Sequence, residues 1–367
     1  LFGAKKGFTD YTDMLDGGDL DAVLILTAPG THLAFSLAAI ERGLHLLIQK
    51  PMALDLEGAT KITDAVREAG VICVVEPSDH TLLDPQYRQL REIIDRGVLG
   101  TPYWFQYIDS AGTDYHAMLG GNPYGNAAFF SKDSGGMLFD FPYAPCKIVS
   151  CLGDCRSVNG NALVSVPERK IVPGDDYTEF LAKCTDPQEA NYWSEVLGRE
   201  KSLAVPMGAP DNVFSTYEMD SGWLGTFHIG RPFHPVPKGA TGGGNLRIFG
   251  EGGNVIFGAP GQFASVITEH KDLLPEAGDD GWFHLPQLGD FAKAQWPKPV
   301  PGAFNYYQES TRHFIECIQT KTDPILNVEY GRHITEMMHG ALVSEETGCR
   351  YMMKTTTTGM REEATDG

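Results

Sequence analysis

Basic residues are scarce in this chain. Its 367 residues carry 29 Lys and Arg against 48 Asp and Glu, a formal net charge of −19. A surface that acidic repels phosphate backbones and anionic lipid headgroups, which argues against nucleic acid and against docking on charged membranes. Long apolar runs are missing too, since none approaches the roughly 20 residues that span a bilayer. The opening Leu1-Phe2-Gly3-Ala4-Lys5-Lys6 has no n-region followed by an apolar h-region, so no signal peptide is visible in it. The cysteines, Cys73, Cys146, Cys151, Cys155, Cys184, Cys317 and Cys349, include no Cys-x-x-Cys pair. Cys151 and Cys155 raise a metal question, but no His pair accompanies them. The reading is reduced, mostly buried thiols, no metal and a cytoplasmic compartment. A last absence concerns glycine: no Gly-x-Gly-x-x-Gly follows a strand and opens a helix.

What is present has a rhythm. The length suggests two domains. From Asp21 to Glu76 short apolar runs alternate with helical stretches. Ala22-Val23-Leu24-Ile25-Leu26 reads as a strand buried on both faces. Thr31 to Arg42 places Leu33, Leu37 and Ile40 on one helical face and stops at Gly43. His45 to Ile48 is the next strand, Leu56 to Ala69 the next helix, and 71–75 the third strand. This order means βαβ units and a parallel sheet. Asp84 to Arg96 adds a helix closed by Gly97.

After Gly100 the texture turns to Gly, Pro and aromatics. Tyr103 to Ile108, Phe180 to Ala182, Phe214 to Met219 and Trp223 to Ile229 are strand candidates. Leu246 to Phe249 and Asn254 to Phe257 flank a glycine turn as a hairpin. Gly242-Gly243-Gly244 has no strand before it and no helix after it, so it reads as a turn, not a phosphate loop. Tyr307 to Thr320 and Gly331 to Thr347 look like closing helices. The polar tail after Lys354, with four consecutive threonines, reads as disordered. The fold class is therefore α/β followed by α+β: a Rossmann-type parallel sheet in residues 1–77, then a mostly antiparallel open sheet in 78–367.

Several motifs fall in order along this frame. Thr27-Ala28-Pro29-Gly30-Thr31-His32 follows the first strand. Gly43-Leu44-His45 opens the second, and Gln49-Lys50-Pro51 ends it. Gly135-Gly136-Met137-Leu138-Phe139-Asp140-Phe141-Pro142-Tyr143-Ala144 lies mid-chain, and Gly331-Arg332-His333 begins a stretch that runs through Ala341, Ser344 and Gly348. Taken together the set resembles the Gfo/Idh/MocA oxidoreductases, the glucose–fructose oxidoreductase and inositol dehydrogenase type. Each motif is short, but the ordered set covers nearly the whole chain. The departures are Ala28 for a Pro, Gln49 for a Glu, and Ala144 where the family carries its catalytic His. Tyr143 is adjacent; some relatives use Tyr at the His position, but this one is a residue early. The family's glycine fingerprint lies upstream of the position where this sequence begins, so the expectation is that the first βαβ unit is absent from it.

The resemblance implies roles for particular residues. Lys50, just past a parallel strand, would trade a proton with a substrate hydroxyl beside a nicotinamide, and Pro51 fixes the backbone after it, with a cis bond open to it. Gln49 removes a negative charge and favours the neutral amine. The plain alternative for Lys50 is a surface lysine at a strand end. Asp140 would orient a sugar hydroxyl or simply cap a helix. Tyr143 would move the hydroxyl proton or pack as an aromatic. Thr27, Pro29 and His32 would line the nicotinamide ribose and pyrophosphate, with Thr31 as a possible plain N-cap. Gln49, Lys50, Pro51 and Glu76 would complete the cofactor crevice. His80, His116, His228, Arg231 and His234 read as ordinary loop or strand residues, and Trp104 and Phe129 as core aromatics.

The function so implied is hydride transfer between NAD, with NADP not excluded, and a sugar, sugar derivative or cyclitol, in a homodimer or homotetramer. The rival readings are redox-assisted glycoside cleavage on tightly held NAD and a non-catalytic binding or scaffold paralogue, for which Ala144 speaks.

Overall fold

In the computed structural model, the residues described are 5–77, 80–110, 134–140, 142–165, 167–171, 203–206, 208–230, 245–257, 262–286 and 306–362. They divide into two units: residues 1–89 with 288–339 and 354–367, and residues 90–287 with 340–353.

The first unit is built on three short strands, β1 (Ala22–Ile25), β2 (His45–Ile48) and β3 (Cys73–Val75), paired in parallel in that order. Between them run α2 (His32–Ile40) and α3 (Leu56–Ala69), after the short α1 (Tyr11–Gly17). The sequence sets the ends of α3 plainly. The Asp55 carboxylate accepts from the Gly58 N–H at 2.7 Å, and Gly70 stops the helix at φ 65°, a conformation costly to any residue with a Cβ. Ala59, Ile62 and Val66 give α3 its buried face, which joins Ala39, Leu46 and Ile48 in one core. One expectation fails here. The first strand is not buried on both faces: Leu24 and Leu26, which alternate with buried Val23 and Ile25, are 50% and 62% exposed.

The chain end belongs to this unit as well, so the division is not a single cut at residue 77. The Val75 N–H donates to the Leu326 carbonyl at 2.9 Å, and Gly331 lies so close to Val75 that a Cβ there would come within 2.7 Å of it. Gly331 sits in the helix Val328–Thr347, which follows the helix Tyr306–Thr320. The tail after Lys354, read from composition as disordered, is ordered through residue 362. Thr355 and Thr356 pair with Met360 and Gly359, and Thr355 is fully buried. The cause is Glu336, itself fully buried. Its carboxylate accepts the N–H groups of Lys354 at 2.7 Å and Thr355 at 2.9 Å, and the Thr355 hydroxyl too. A buried carboxylate demands donors, and the tail supplies them.

Helix α4 (Pro85–Asp95) leads into the second unit and to β4 (Pro102–Ser110). Two helices follow, α5 (Gly136–Asp140) and α6 (Tyr143–Leu152), then β5 (Cys155–Leu163). Strands β6 (Glu168–Ile171) and β7 (Leu203–Pro206) pair with each other. Next come β8 (Asn212–Met219), β9 (Leu224–Gly230), β10 (Asn245–Gly250), β11 (Gly253–Phe257), β12 (Gln262–Thr268), β13 (Trp282–Pro286) and β14 (Tyr351–Met352). They form a nine-stranded sheet in the order β13-β12-β11-β10-β4-β9-β8-β5-β14, in which β4 and β9 are parallel and the other neighbours antiparallel. The predicted hairpin is β10–β11, with Ile248 opposite Val255. The strand candidate at 180–182 and the glycine run at 242–244 lie outside the described residues. Trp104 is not the core aromatic expected. Strand alternation buries Phe105 and Tyr107 and turns Trp104 outward, 45% exposed and stacked on Phe249 at 4.4 Å.

Replacing Glu336 with Ala leaves the buried Thr355 N–H and the part-buried Lys354 N–H without their acceptor. Urea denaturation should show a loss of about 3 kcal/mol, with the segment after Lys354 newly open to limited proteolysis.

Candidate active site

Three parallel strands end in three loops, and in open α/β sheets such strand ends are where ligands bind. After β1 comes Thr27-Ala28, then a turn of 3-10 helix over Pro29–Thr31. Thr31 was a candidate N-cap for α2. It holds that position, but its hydroxyl makes no capping bond. It donates instead to the Ala28 carbonyl at 2.7 Å and pairs with the Thr27 hydroxyl at 2.7 Å, which folds the loop onto itself.

After β2 the half-buried Gln49 and Lys50 lead into buried Pro51 and Met52. The Lys50–Pro51 peptide is cis, as is Glu76–Pro77 after β3. The Gln49 side-chain carbonyl accepts the Lys50 N–H at 3.0 Å. The backbone ties the loops to the sheet: Gln49 N–H to the Ile25 carbonyl at 3.0 Å, and Glu76 N–H to the Ile48 carbonyl at 2.9 Å. Glu76 itself is buried, 5% exposed.

His32 joins the first loop to the second. It is fully buried, with Nδ1 2.7 Å from the Pro51 carbonyl and Nε2 3.1 Å from the Thr27 carbonyl. Both partners only accept, so the ring donates, and a neutral imidazole with one N–H serves one carbonyl at a time. The side chain predicted to line a cofactor is thus a strut under the Thr27 and Pro51 backbone. Thr27 and Ala28 stay exposed, and Pro29 is half-buried.

In the second unit Asp140 ends α5 and Tyr143 begins α6, both half-buried. The N-cap position of α6 is Pro142, without a side-chain capping bond, so Asp140 does not cap that helix. Gly136 is required here: its φ is 65°, and a Cβ would come 2.4 Å from that of Ala209. Ala144, at the position where the resemblance leads one to expect a His, is fully buried. One turn on, sequence reasoning passed over Lys147. It is only 7% exposed, with its Nζ 5.1 Å from the Phe257 ring centre and 6.0 Å from that of Tyr107. The available signal was a lone lysine in the otherwise apolar run Cys146–Leu152.

His80 sits at φ 64° and shares a hydrogen bond with the Tyr87 hydroxyl at 3.1 Å. His228 stacks on Phe214 at 4.1 Å, and burial holds its imidazole below the usual range, with Asp109 pulling the other way. His116, Phe129, Arg231, His234 and Cys184 lie outside the described residues. Burial pushes the Cys151 thiol up to about 12, which keeps it from acting as a nucleophilic thiolate. Among the described residues no three His, Cys, Asp or Glu side chains gather as a metal site.

Residues 1–77 match the model of an oxidoreductase family with an NAD-binding Rossmann fold, Gfo/Idh/MocA. Over those residues the chain is similar to the cofactor-binding part of that family. Over 218 residues it is 28% identical to scyllo-inositol 2-dehydrogenase (NAD(+)) of Bacillus subtilis, covering 55% of this chain and 60% of that relative. Over 100 residues it is 36% identical to 1,5-anhydro-D-fructose reductase of Ensifer adhaerens, covering 27% of this chain and 29% of the relative. The chain thus spans 60% or less of the length of these relatives. Among solved structures, levoglucosan dehydrogenase in complex with NADH and L-sorbose superposes with a TM-score of 0.69 at 15% identity, covering 97% of this chain and 85% of that one. An NAD-binding oxidoreductase from Klebsiella pneumoniae gives 0.68 at 19% identity, over 95% and 84%. At such identities the likeness shows a shared fold and nothing finer.

His32→Ala should cost roughly 2–4 kcal/mol in chemical denaturation, from a carbonyl left without its donor and a buried void. Thr31→Val, on an exposed loop, should cost under about 1 kcal/mol in the same measurement.

Proposed function

We propose that this protein is a nicotinamide-dependent oxidoreductase acting on a hydroxyl-bearing carbon of a sugar, sugar derivative or cyclitol. The observation that carries the reading is the amine of Lys50. It is half-buried at the end of β2, on a backbone that His32 braces from below.

The loops fit the nicotinamide half of a dinucleotide. Thr27 and Ala28 are exposed, Pro29 begins the turn that follows them, and Gln49, Lys50, Pro51 and Glu76 follow the neighbouring strands. These residues would hold the cofactor. The glycine fingerprint that takes a pyrophosphate does not occur in this sequence at a strand-to-helix turn. A bound nicotinamide supplies the hydride donor or acceptor. Lys50 handles the proton: as a neutral amine it accepts the substrate hydroxyl proton on oxidation, and as an ammonium it returns one on reduction. The family resemblance would give Asp140 the orienting of substrate hydroxyls, and Tyr143, one residue early of the family's position, would be a second proton-handling group. NAD is favoured over NADP by the names of the relatives. The compartment proposed is the cytoplasm; no helix among the described residues is long and apolar enough to cross a membrane.

A homodimer or homotetramer completes the reading. The outward face of the nine-stranded sheet carries Trp104, Phe214 and Leu224, 45%, 47% and 55% exposed, and an apolar face of that kind calls for a partner. The fully buried Ala144 favours one rival, a binding-only paralogue.

With NAD and a panel of myo-inositol, scyllo-inositol and levoglucosan, the full chain should form NADH. Lys50→Ala should bind NADH, followed by its fluorescence, while turnover falls on the order of 10²–10⁴-fold. Unchanged turnover would remove Lys50 from the chemistry, and no NAD(H) binding by calorimetry would favour the binding-only reading.

A further inference from the structure

The helix Val328–Thr347 buries four ionisable side chains within its first turns: Glu329, Arg332, His333 and Glu336, at 9%, 3%, 0% and 0% exposure. Three of them are answered. Glu329 receives the Arg67 guanidinium through Nε at 2.7 Å and again through Nη2. Glu336 is taken up by Lys354 and Thr355. His333 meets the Thr355 hydroxyl at 3.1 Å.

Arg332 is different. Its Nε is sealed from solvent with no partner, and among the described residues the side chain makes no hydrogen bond and no ion pair. The spacing sharpens the point. Glu329 lies three residues before it and Glu336 four after, the separations at which helical ion pairs form, yet both carboxylates are held by other groups. A guanidinium cannot escape by losing its proton, and a buried charge left uncompensated is costly. The position is also telling. Gly331 sets this turn of the helix against Val75, the last residue of β3, beside buried Glu76, at a strand end of the kind that takes ligands.

We propose that Arg332 is an anion-binding residue, whose guanidinium holds the carboxylate or phosphate oxygens of a small ligand taken up at this edge of the parallel sheet. The planar fork of donors suits two oxygens of one group. The assignment asks only for an anion and stands whether or not hydride transfer occurs.

Calorimetric titration of the full chain with D-glucuronate, D-glucose and NADH tests it, on the parent, Arg332→Met and Arg332→Lys. At least one of glucuronate and NADH should bind the parent and bind Arg332→Met roughly 30-fold or more weakly, with Arg332→Lys in between, while glucose is unaffected. A loss confined to glucuronate identifies a carboxylate ligand, and one confined to NADH a phosphate. Without ligand, Arg332→Met should melt no lower than the parent, because it removes an uncompensated charge. The proposal is overturned if neither anion binds the parent, or if both bind all folded variants alike. It is also overturned if ligand-free Arg332→Met melts well below the parent with binding unchanged, which would make Arg332 a structural residue.

Discussion

A buried imidazole that must find acceptors governs the geometry of the first unit. His32 stands at the start of α2, where its own backbone follows from the Pro29–Thr31 turn, and reaches a carbonyl on each of two loops. Neither carbonyl belongs to a regular strand pair, so neither has a ladder partner to fall back on. Moving either loop would strand a buried polar group, at a cost comparable to a sizeable part of a domain's net stability. The half-buried Lys50 therefore inherits its position from a residue 18 places earlier that need not touch any ligand.

The same demand for partners organises the chain's end. Tail residues with no apolar content to hold them are held because Glu336 is buried and short of donors. Arg67 is similarly drawn to Glu329 and Asp323, and this cross-bracing ties α3 to the closing helix. The Asp323 carboxyl is lifted by burial, but the Arg67 and Asn327 hydrogen bonds outweigh this and hold it below the usual carboxylate range. Polar groups rather than apolar stripes decide which faces of this helix are spoken for, so one of them left over, Arg332, stands out.

Periodicity made the architecture legible. Alternating apolar runs and helical stretches up to Glu76 yielded the parallel sheet, and the hairpin at 246–257 followed from its glycine turn. What composition could not show was neighbourhood. Leu24 and Leu26 look buried because their run is apolar, but the face of the strand they share is exposed. Trp104 looks like core until strand alternation turns it outward. The threonine-rich tail looks unstructured because its partner, Glu336, lies 18 and 19 residues away and on another element. At the site, the strand-end motif pointed to Lys50 directly. The bracing role of His32 was invisible, since nothing in Thr-Ala-Pro-Gly-Thr-His says which carbonyls the ring will meet.

Ala144 bears most on what chemistry this chain retains. Its methyl is wholly packed in α6, so the position cannot lend a proton, and the neighbouring Tyr143 ring is only half-buried. If the family's reaction runs here, proton transfer falls chiefly on Lys50, whose backbone setting is intact down to the His32 brace. His32 both stabilises the two loops and fixes where the strand end carrying Lys50 lies, so the setting of that amine rests on burial and hydrogen bonding and does not depend on an imidazole at position 144.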